Sequence, residues 1–475
     1  MDSISATRLA SLVGDVARER PPLYTALAGR IRLLVGDGRL AVGVRLPAER
    51  DLAAAIGLSR ATVTSAYGRL REDGWAAARQ GSGTWTRLPA GPDPGAWMPG
   101  PVPAGVIDMA HAAPPAPPEV TAAFTAALAD LPRFLPGHGY HPQGLPDLRA
   151  RIADRYSLRG LPTTPEQVLV TAGALHAVTV ALEVVCRRGD RVLVEHPSYP
   201  NVLDAISARG ARRIPVAVNA ADPDAVAADL HRAARQTGAK AAYVQVDFQN
   251  PTGMLLDEAQ RSRLAVGLQQ TDCIAVVDET LAELWLEQPT PTPFAAVARP
   301  DRVVTVGTMS KSFWGGLRTG WLRAEPDVIR RFMAVTARMQ LSLPVLEQLA
   351  SCHLLDAIDA VLPSHRARLR EQRDHLATAL RSQVPEWGVH VPSGGLVLWC
   401  QLPTDLSSSS LAAAGDAGGL RLAAGPRFGT GHAFDDRLRL PYTHPASVLE
   451  IAVARLAEIA ADRRPRMEVA DELVV

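Results

Sequence analysis

Residues 302–321, RVVTVGTMSKSFWGGLRTGW, decide how the larger part of this chain is read. Val303 to Ser310 form a short β-branched run of the kind that makes a buried strand, and the run delivers Lys311 to its carboxyl end. Hydroxyls at Thr308 and Ser310 and a guanidinium at Arg318 follow within one loop. Lysine is scarce elsewhere: of 50 basic side chains only Lys240 and Lys311 are lysines. Arginine serves for surface charge, but its guanidinium is effectively never neutral and cannot attack a carbonyl. Lys240, in TGAKAAY before a strand, reads as a solvated surface residue.

A lysine amine beside a phosphate-sized set of donors is what a pyridoxal phosphate site requires, the arginine and hydroxyls taking the phosphate dianion. Around this strand, QVLVTAG, RVLVEHP, AAYVQVDF and CIAVVDE alternate with alanine- and leucine-rich helical stretches. That alternation predicts an α/β fold, a mostly parallel sheet with helices on both faces, whose ligands sit at the carboxyl ends of strands. Asp278 ends one such strand and can keep a pyridine nitrogen protonated. Asn250 in QNPTG can bond the phenolic oxygen, and Tyr199 in EHPSYP can stack on the ring. TAGALHAV, 171–178, reads as a strand-to-helix turn whose N–H groups, at Ala174 and Leu175, can cradle the phosphate. Arg439 in RLRLPY can clamp a carboxylate of an effector. Taken singly, an aspartate after a strand is often a helix cap, NPTG is often a turn, and an arginine is often surface. A long helix near 362–382, the run GGLVLWCQLP and a helix near 444–462 predict a smaller C-terminal α/β unit.

Upstream, residues 21–88 read as a separate module of three helices and a hairpin. It holds ten arginines against five acids, a charge of +5, while the whole chain is only +1. A local basic patch of this kind suits nucleic acid, and a helix-turn-helix places its third helix in the major groove. The start of that helix, Ser59-Arg60-Ala61-Thr62-Val63-Thr64, offers short hydroxyls for phosphates and one guanidinium that can read guanine. Residues 89–106 are rich in proline and glycine and predict an extended, semi-rigid linker before the cofactor domain at 107–462.

No stretch approaches about 18 apolar residues, and Asp15, Arg18 and Glu19 stand where a signal peptide would be apolar, so a cytoplasmic protein is expected. The four cysteines are scattered without CxxC pairing, so neither a metal site nor a disulfide framework is expected.

LPAERDLAAAIGLSRATVTSAYGRLREDGW followed by RQGSGTW resembles the winged helix-turn-helix of the GntR family of bacterial regulators. The resemblance implies DNA contacts from Arg50, Arg60, Thr62 and the wing around Gln80 and Gly81. The series TAG, EHPSYP, QNPTG, VVDE, SK with Arg318, GG and RLR resembles the fold-type I pyridoxal phosphate enzymes, the aspartate aminotransferase group. In that group Tyr140, in YHPQGLPDLR, comes from a partner subunit to touch the phosphate, which implies a homodimer with composite sites, domain swapping being one arrangement. Both halves together resemble the MocR-type subgroup of GntR regulators.

The chain departs from that pattern at three places. Ala174-Leu175 replaces small polar residues in the phosphate turn, Thr280 stands where a tyrosine usually reaches the cofactor oxygen, and Phe313-Trp314-Gly315-Gly316 is bulkier than usual. These changes bear on turnover more than on binding. Three functions stay open on the residues alone: a transcription regulator that senses pyridoxal phosphate or an amino-acid or amine effector, an active aminotransferase with an appended DNA-binding module, and a DNA-binding protein with an empty shell.

Overall fold

The computed structural model describes residues 3–16, 22–36, 40, 43–79, 83–87, 102–429 and 433–463. The chain divides into two compact units, Met1–Met98 and Pro99–Val475.

The first unit contains α1 (Ala6–Val13), α2 (Leu23–Gly36), α3 (Glu49–Ile56), α4 (Arg60–Glu72) and a hairpin of β1 (Ala76–Arg79) and β2 (Gly83–Thr86). Its core extends further toward the N-terminus than the boundary at residue 21 allowed. Leu9 and Val13 of α1 and the following Val16 are buried with Leu27, Ile31, Leu52, Val63 and Tyr67, and burial of each such aliphatic side chain contributes about 1.5–3 kcal/mol. The sharp turn between α3 and α4 needs Gly57, which closes α3 in the left-handed region at φ 67°. Ser59 then caps α4 by accepting from the Thr62 amide at 3.1 Å.

In the second unit, β3 (Ile107–Met109) is followed by α5 (Pro118–Asp130), α6 (Pro146–Leu158), β4 (Val168–Thr171), α7 (Ala174–Val185), β5 (Arg191–His196), α8 (Pro200–Ala208) and β6 (Arg212–Ala217). Next come α9 (Pro223–Thr237), β7 (Ala241–Val244), α10 (Glu258–Gln269), β8 (Ile274–Asp278), β9 (Val303–Thr308) and β10 (Gly320–Arg323). Then α11 (Pro326–Met339), α12 (Val345–Asp356) and α13 (Ile358–Gln383) lead to β11 (Gly388–Val389), β12 (Val397–Gln401), α14 (Ser408–Ala417), β13 (Leu420–Ala424), β14 (Arg437–Pro441) and α15 (Ala446–Arg463).

Seven strands form the main sheet in the order β4-β10-β9-β8-β7-β5-β6. All run parallel except β10, which is antiparallel to β4 and β9. Every residue of β4, β7 and β9 is buried, as expected when helices cover both faces of a parallel sheet. Two separate apolar clusters lie against it, one including Val170, Val244 and Val277 and the other Leu169, Tyr243 and Val276. The alternation of neighbours along each strand between the clusters follows from the two-residue period of a strand. The smaller sheet, β11-β12-β14-β13-β3, takes its last strand from the start of the unit, with β3 parallel to β13.

The two lysines mark opposite ends of the main sheet. Lys240 is exposed just before β7, whereas Lys311 lies in the turn just after β9.

Candidate functional site

The carboxyl ends of β8 and β9 and the turn before α7 bring the predicted cofactor residues together. Lys311 Nζ donates to the Ala112 carbonyl at 2.9 Å. Burial, followed by the charge of Arg439 and opposed by Asp278, pulls its amine down to about 8. An amine so shifted is neutral, and so nucleophilic, in a larger fraction near neutral pH than an ordinary lysine. The same electrostatic neighbourhood includes Arg318 and reaches Tyr199, whose phenol burial raises and Asp278 raises further. Arg439 is buried; its Nη1 donates to Asn250 Oδ1 at 3.3 Å, its Nη2 to the Ala110 carbonyl, and its guanidinium lies 4.8 Å from the centre of the Phe428 ring. Burial lowers it to about 9, a cost that an arriving carboxylate relieves.

The phosphate turn is built by interlocking glycines. Gly173 precedes α7 at φ 88°, and a Cβ there would meet Arg318 Nη2 at 2.8 Å. A Cβ on Gly320 would in turn meet the Gly173 backbone at 2.6–2.7 Å and the Ala174 nitrogen at 2.9 Å. Arg318, itself in the left-handed region, therefore lies directly against the turn and donates to the Ala172 carbonyl at 2.8 Å. No side chain caps α7, which leaves the first-turn amides at Ala174 and Leu175 for an anion. The two hydroxyls divide their tasks. Thr308 Oγ1 donates to the Thr319 carbonyl at 2.8 Å, accepts from the Ser310 amide at 3.2 Å and lies 3.1 Å from the Ser310 hydroxyl, so it shapes the turn, and the Ser310 hydroxyl, with a proton of its own, is the one suited to phosphate. An uncapped helix start behind a glycine-lined turn, with an arginine, a hydroxyl and an amine from the loop after β9 and a carboxylate at the end of β8, fits pyridoxal phosphate.

Thr280 and Tyr140 each make contacts within this chain. Thr280 turns to Asp278, donating to Oδ1 from both its amide, at 2.9 Å, and its hydroxyl. Tyr140 is 54 % exposed and stacks on His138 at 5.4 Å. Among the described residues no hydrogen bond or ring contact joins Tyr140 to the Lys311 cluster.

Sequence reading also missed a buried layer beneath Asp278. Tyr243 Oη donates to Asp278 Oδ2 at 2.5 Å, Gln245 Nε2 donates to the same oxygen at 3.3 Å, and Glu195 accepts from the Gln245 amide at 3.2 Å. Polar residues in an otherwise apolar strand, as in VQVDFQ, were the available signal. His176 was missed as well; its Nδ1 accepts from the Ala172 amide at 3.1 Å, with burial and then Arg318 lowering it.

In the first unit, the buried face of α4 is Val63, Ala66, Tyr67 and Leu70, which turns Arg60 outward at 75 % side-chain exposure. Arg50 is 82 % exposed and pairs with Asp51 at 3.1 Å. Thr64 Oγ1 donates to Glu49 Oε2 at 2.7 Å, and Arg60 Nε lies 3.9 Å from the same oxygen. Ser59 and Thr62 hydroxyls bond each other at 2.8 Å. Gln80 and Gly81 lie outside the described residues.

Residues 116–456 match the family "Aminotransferase class I and II", and residues 23–85 match "Bacterial regulatory proteins, gntR family". The HTH-type pyridoxine biosynthesis transcriptional regulator PdxR of Corynebacterium glutamicum is 30% identical, the alignment covering 84% of this chain and 87% of that one. An uncharacterized HTH-type transcriptional regulator of Escherichia coli, YdcR, is 29% identical over 86% of this chain and 92% of its own length. Among solved structures, the α-aminoadipate aminotransferase LysN of Thermus thermophilus, complexed with N-(5'-phosphopyridoxyl)-L-leucine, is 26% identical with a TM-score of 0.69, covering 76% of this chain and 93% of that chain.

Proposed function

Since this chain belongs to the class I and II aminotransferases and, within them, to the MocR-type regulators that carry a gntR-family helix-turn-helix, we propose that it is a pyridoxal phosphate-dependent transcription regulator whose cofactor is carried on Lys311. The observation that carries this reading is the placement of Lys311, just after β9 and within electrostatic reach of Asp278, Arg318 and Arg439, in the same chain as a helix-turn-helix whose Arg60 is exposed. When bound, pyridoxal phosphate supplies an aldehyde that captures primary amines and a ring that draws electrons from them.

The residues of this chain divide the remaining work. Lys311 would hold the cofactor covalently; Ser310, Arg318 and the amides of Ala174 and Leu175 would hold its phosphate. Tyr199 would stack on the ring, Asn250 would bond the phenolic oxygen, and Asp278 would help keep the ring nitrogen protonated. Arg439 selects an effector with a carboxylate. A second copy of the chain contributes Tyr140, whose exposed ring suits contact across a homodimer. Arg50, Ser59, Arg60, Thr62, Thr64, Gln80 and Gly81 form the DNA-reading surface, and the protein works in the cytoplasm.

For a ligand to switch such a regulator it must bind two arrangements of the protein with different affinity. The test compares wild type and Lys311→Ala on duplexes selected by the wild-type protein from a randomised pool, with and without pyridoxal phosphate. A cofactor-dependent change in affinity or footprint spacing that Lys311→Ala abolishes is expected; identical binding in all four conditions removes the switch. Retention of both Asp278 and Arg439 favours one alternative, an active aminotransferase. Rapid repeated transamination between an amino acid and a keto acid would establish that second reading.

A further inference from the structure

The polar layer beneath Asp278 has a use that the regulator reading leaves unassigned. Asp278 Oδ2 accepts from Tyr243 Oη at 2.5 Å and Gln245 Nε2 at 3.3 Å, while Oδ1 accepts from the Thr280 amide at 2.9 Å and from the Thr280 hydroxyl. A carboxylate offers about four lone-pair positions. Four protein donors already address them. The orientation of Gln245 is fixed independently, because its Oε1 accepts from the Asn250 amide at 3.0 Å and so turns Nε2 toward Asp278. Tyr243 is fully buried; burial, then the charge of Asp278, raises its phenol well above the ordinary value, so the proton stays on tyrosine and the hydroxyl acts as donor. On the far side of Gln245, Glu195 accepts from the Gln245 amide at 3.2 Å and from Gln249 Nε2 at 3.3 Å. Burial pushes Glu195 up to about 8, so at neutral pH it adds no second negative charge beside Asp278.

We propose that Tyr243 is a positioning residue that, together with Thr280 and Gln245, weakens Asp278 as a counter-charge by occupying its acceptor positions. A ring N–H brought to Asp278 must share a carboxylate that is already engaged. The ring nitrogen therefore holds its proton less firmly than it would against a bare carboxylate, and a cofactor whose nitrogen is incompletely protonated draws electrons weakly. Binding of an amine is preserved while its further conversion is slowed, which suits a sensor better than a catalyst. This inference rests on Asp278 being the partner of the pyridoxal phosphate nitrogen in the reading above.

The experiment loads the full-length protein with pyridoxal phosphate isotopically labelled at the ring nitrogen and records its nitrogen chemical shift at neutral pH in wild type, Tyr243→Phe and Thr280→Val. Thermal unfolding accompanies each variant, and Thr280→Val carries the test if Tyr243→Phe does not fold. Wild type is expected between the neutral and protonated values, and either variant moves toward the protonated one. Loss of one hydrogen bond to an ionised carboxylate corresponds to a roughly ten- to hundredfold rise in proton affinity. A wild-type signal already at the protonated value and unmoved in both variants overturns the proposal, as does movement toward the neutral value. A tyrosine that merely supported the fold would alter unfolding without moving the shift in that direction. If the labelled cofactor gives no bound signal in wild type, the cofactor reading itself falls, and the inference with it.

Discussion

The recognition helix and the cofactor site use charge in opposite ways. Arg50 and Arg60 are exposed and loosely bracketed by Asp51 and Glu49, so water and salt screen them and their contribution is available to any phosphate that approaches. Arg439 and Glu195 lie in the interior and Lys311 is half-buried beside Arg439, and desolvation moves all three toward their neutral forms, to about 9, 8 and 8. The first region answers to ionic strength and the second to pH and to specific ligands. One chain thus carries two electrostatic environments that can be perturbed separately.

The largest break expected between them comes from Lys311→Ala. Covalent attachment of pyridoxal phosphate, fixed by borohydride reduction and located by mass spectrometry, should disappear entirely, together with the visible absorbance that an imine of the cofactor with lysine gives. Binding to a mixed-sequence duplex should be unchanged. Residual covalent cofactor would remove Lys311 from its role.

A smaller effect, confined to the interior, is a pH dependence of folding carried by Glu195. Its folded value of about 8 lies above the ordinary 4.5, so between these the folded state binds the extra proton. This stabilisation is complete below the lower value and is lost as pH rises through the upper one, by up to about 1.4 kcal/mol per pH unit. Denaturant titrations of Glu195→Gln should lose this component of the slope, since a glutamine retains an acceptor for the Gln245 amide without titrating.

On the exposed side, Arg60→Ala should cost about 1–3 kcal/mol of sequence-specific binding if the guanidinium reads a base. The comparison sharpens if the preference is lost at one base position and the cofactor absorbance is untouched. A uniform loss on every duplex, with a shallower salt dependence, would mark Arg60 as a phosphate contact instead. The mildest change is Ser59→Ala. Removing the cap on α4 should lower the stability of the first unit by about 1 kcal/mol, detectable as a shift in its unfolding midpoint with the second unit's transition in place.

Much of the candidate site was legible because its polar groups sit where apolar runs end. Lys311 after VVTVGTMS and Asp278 after CIAVV announce themselves as polar groups at the carboxyl ends of strands, and the glycine-centred turn at 171–173 announces the helix start. Tyr243 was not legible. Within AAYV every position is buried, so alternation gives no direction for the ring, and its partner Asp278 comes from the neighbouring strand. The role of Thr280 was half legible: its shortness was evident, but only the fold shows that both its donors turn back to Asp278. The helix Ala6–Val13 escaped because eight residues are too few for a convincing period, and its stability comes from packing Leu9 and Val13 into the three-helix core.

The placement of the two lysines makes the protein its own optical ruler. An amine-reactive dye has one exposed lysine side chain to modify, Lys240 at the amino end of β7, while a chromophore on Lys311 would sit at the carboxyl end of the parallel strand β9. A strand of this length spans roughly 20 Å, within the working range of energy transfer. Dye emission at Lys240 would then report occupancy at Lys311 in real time, without an engineered label.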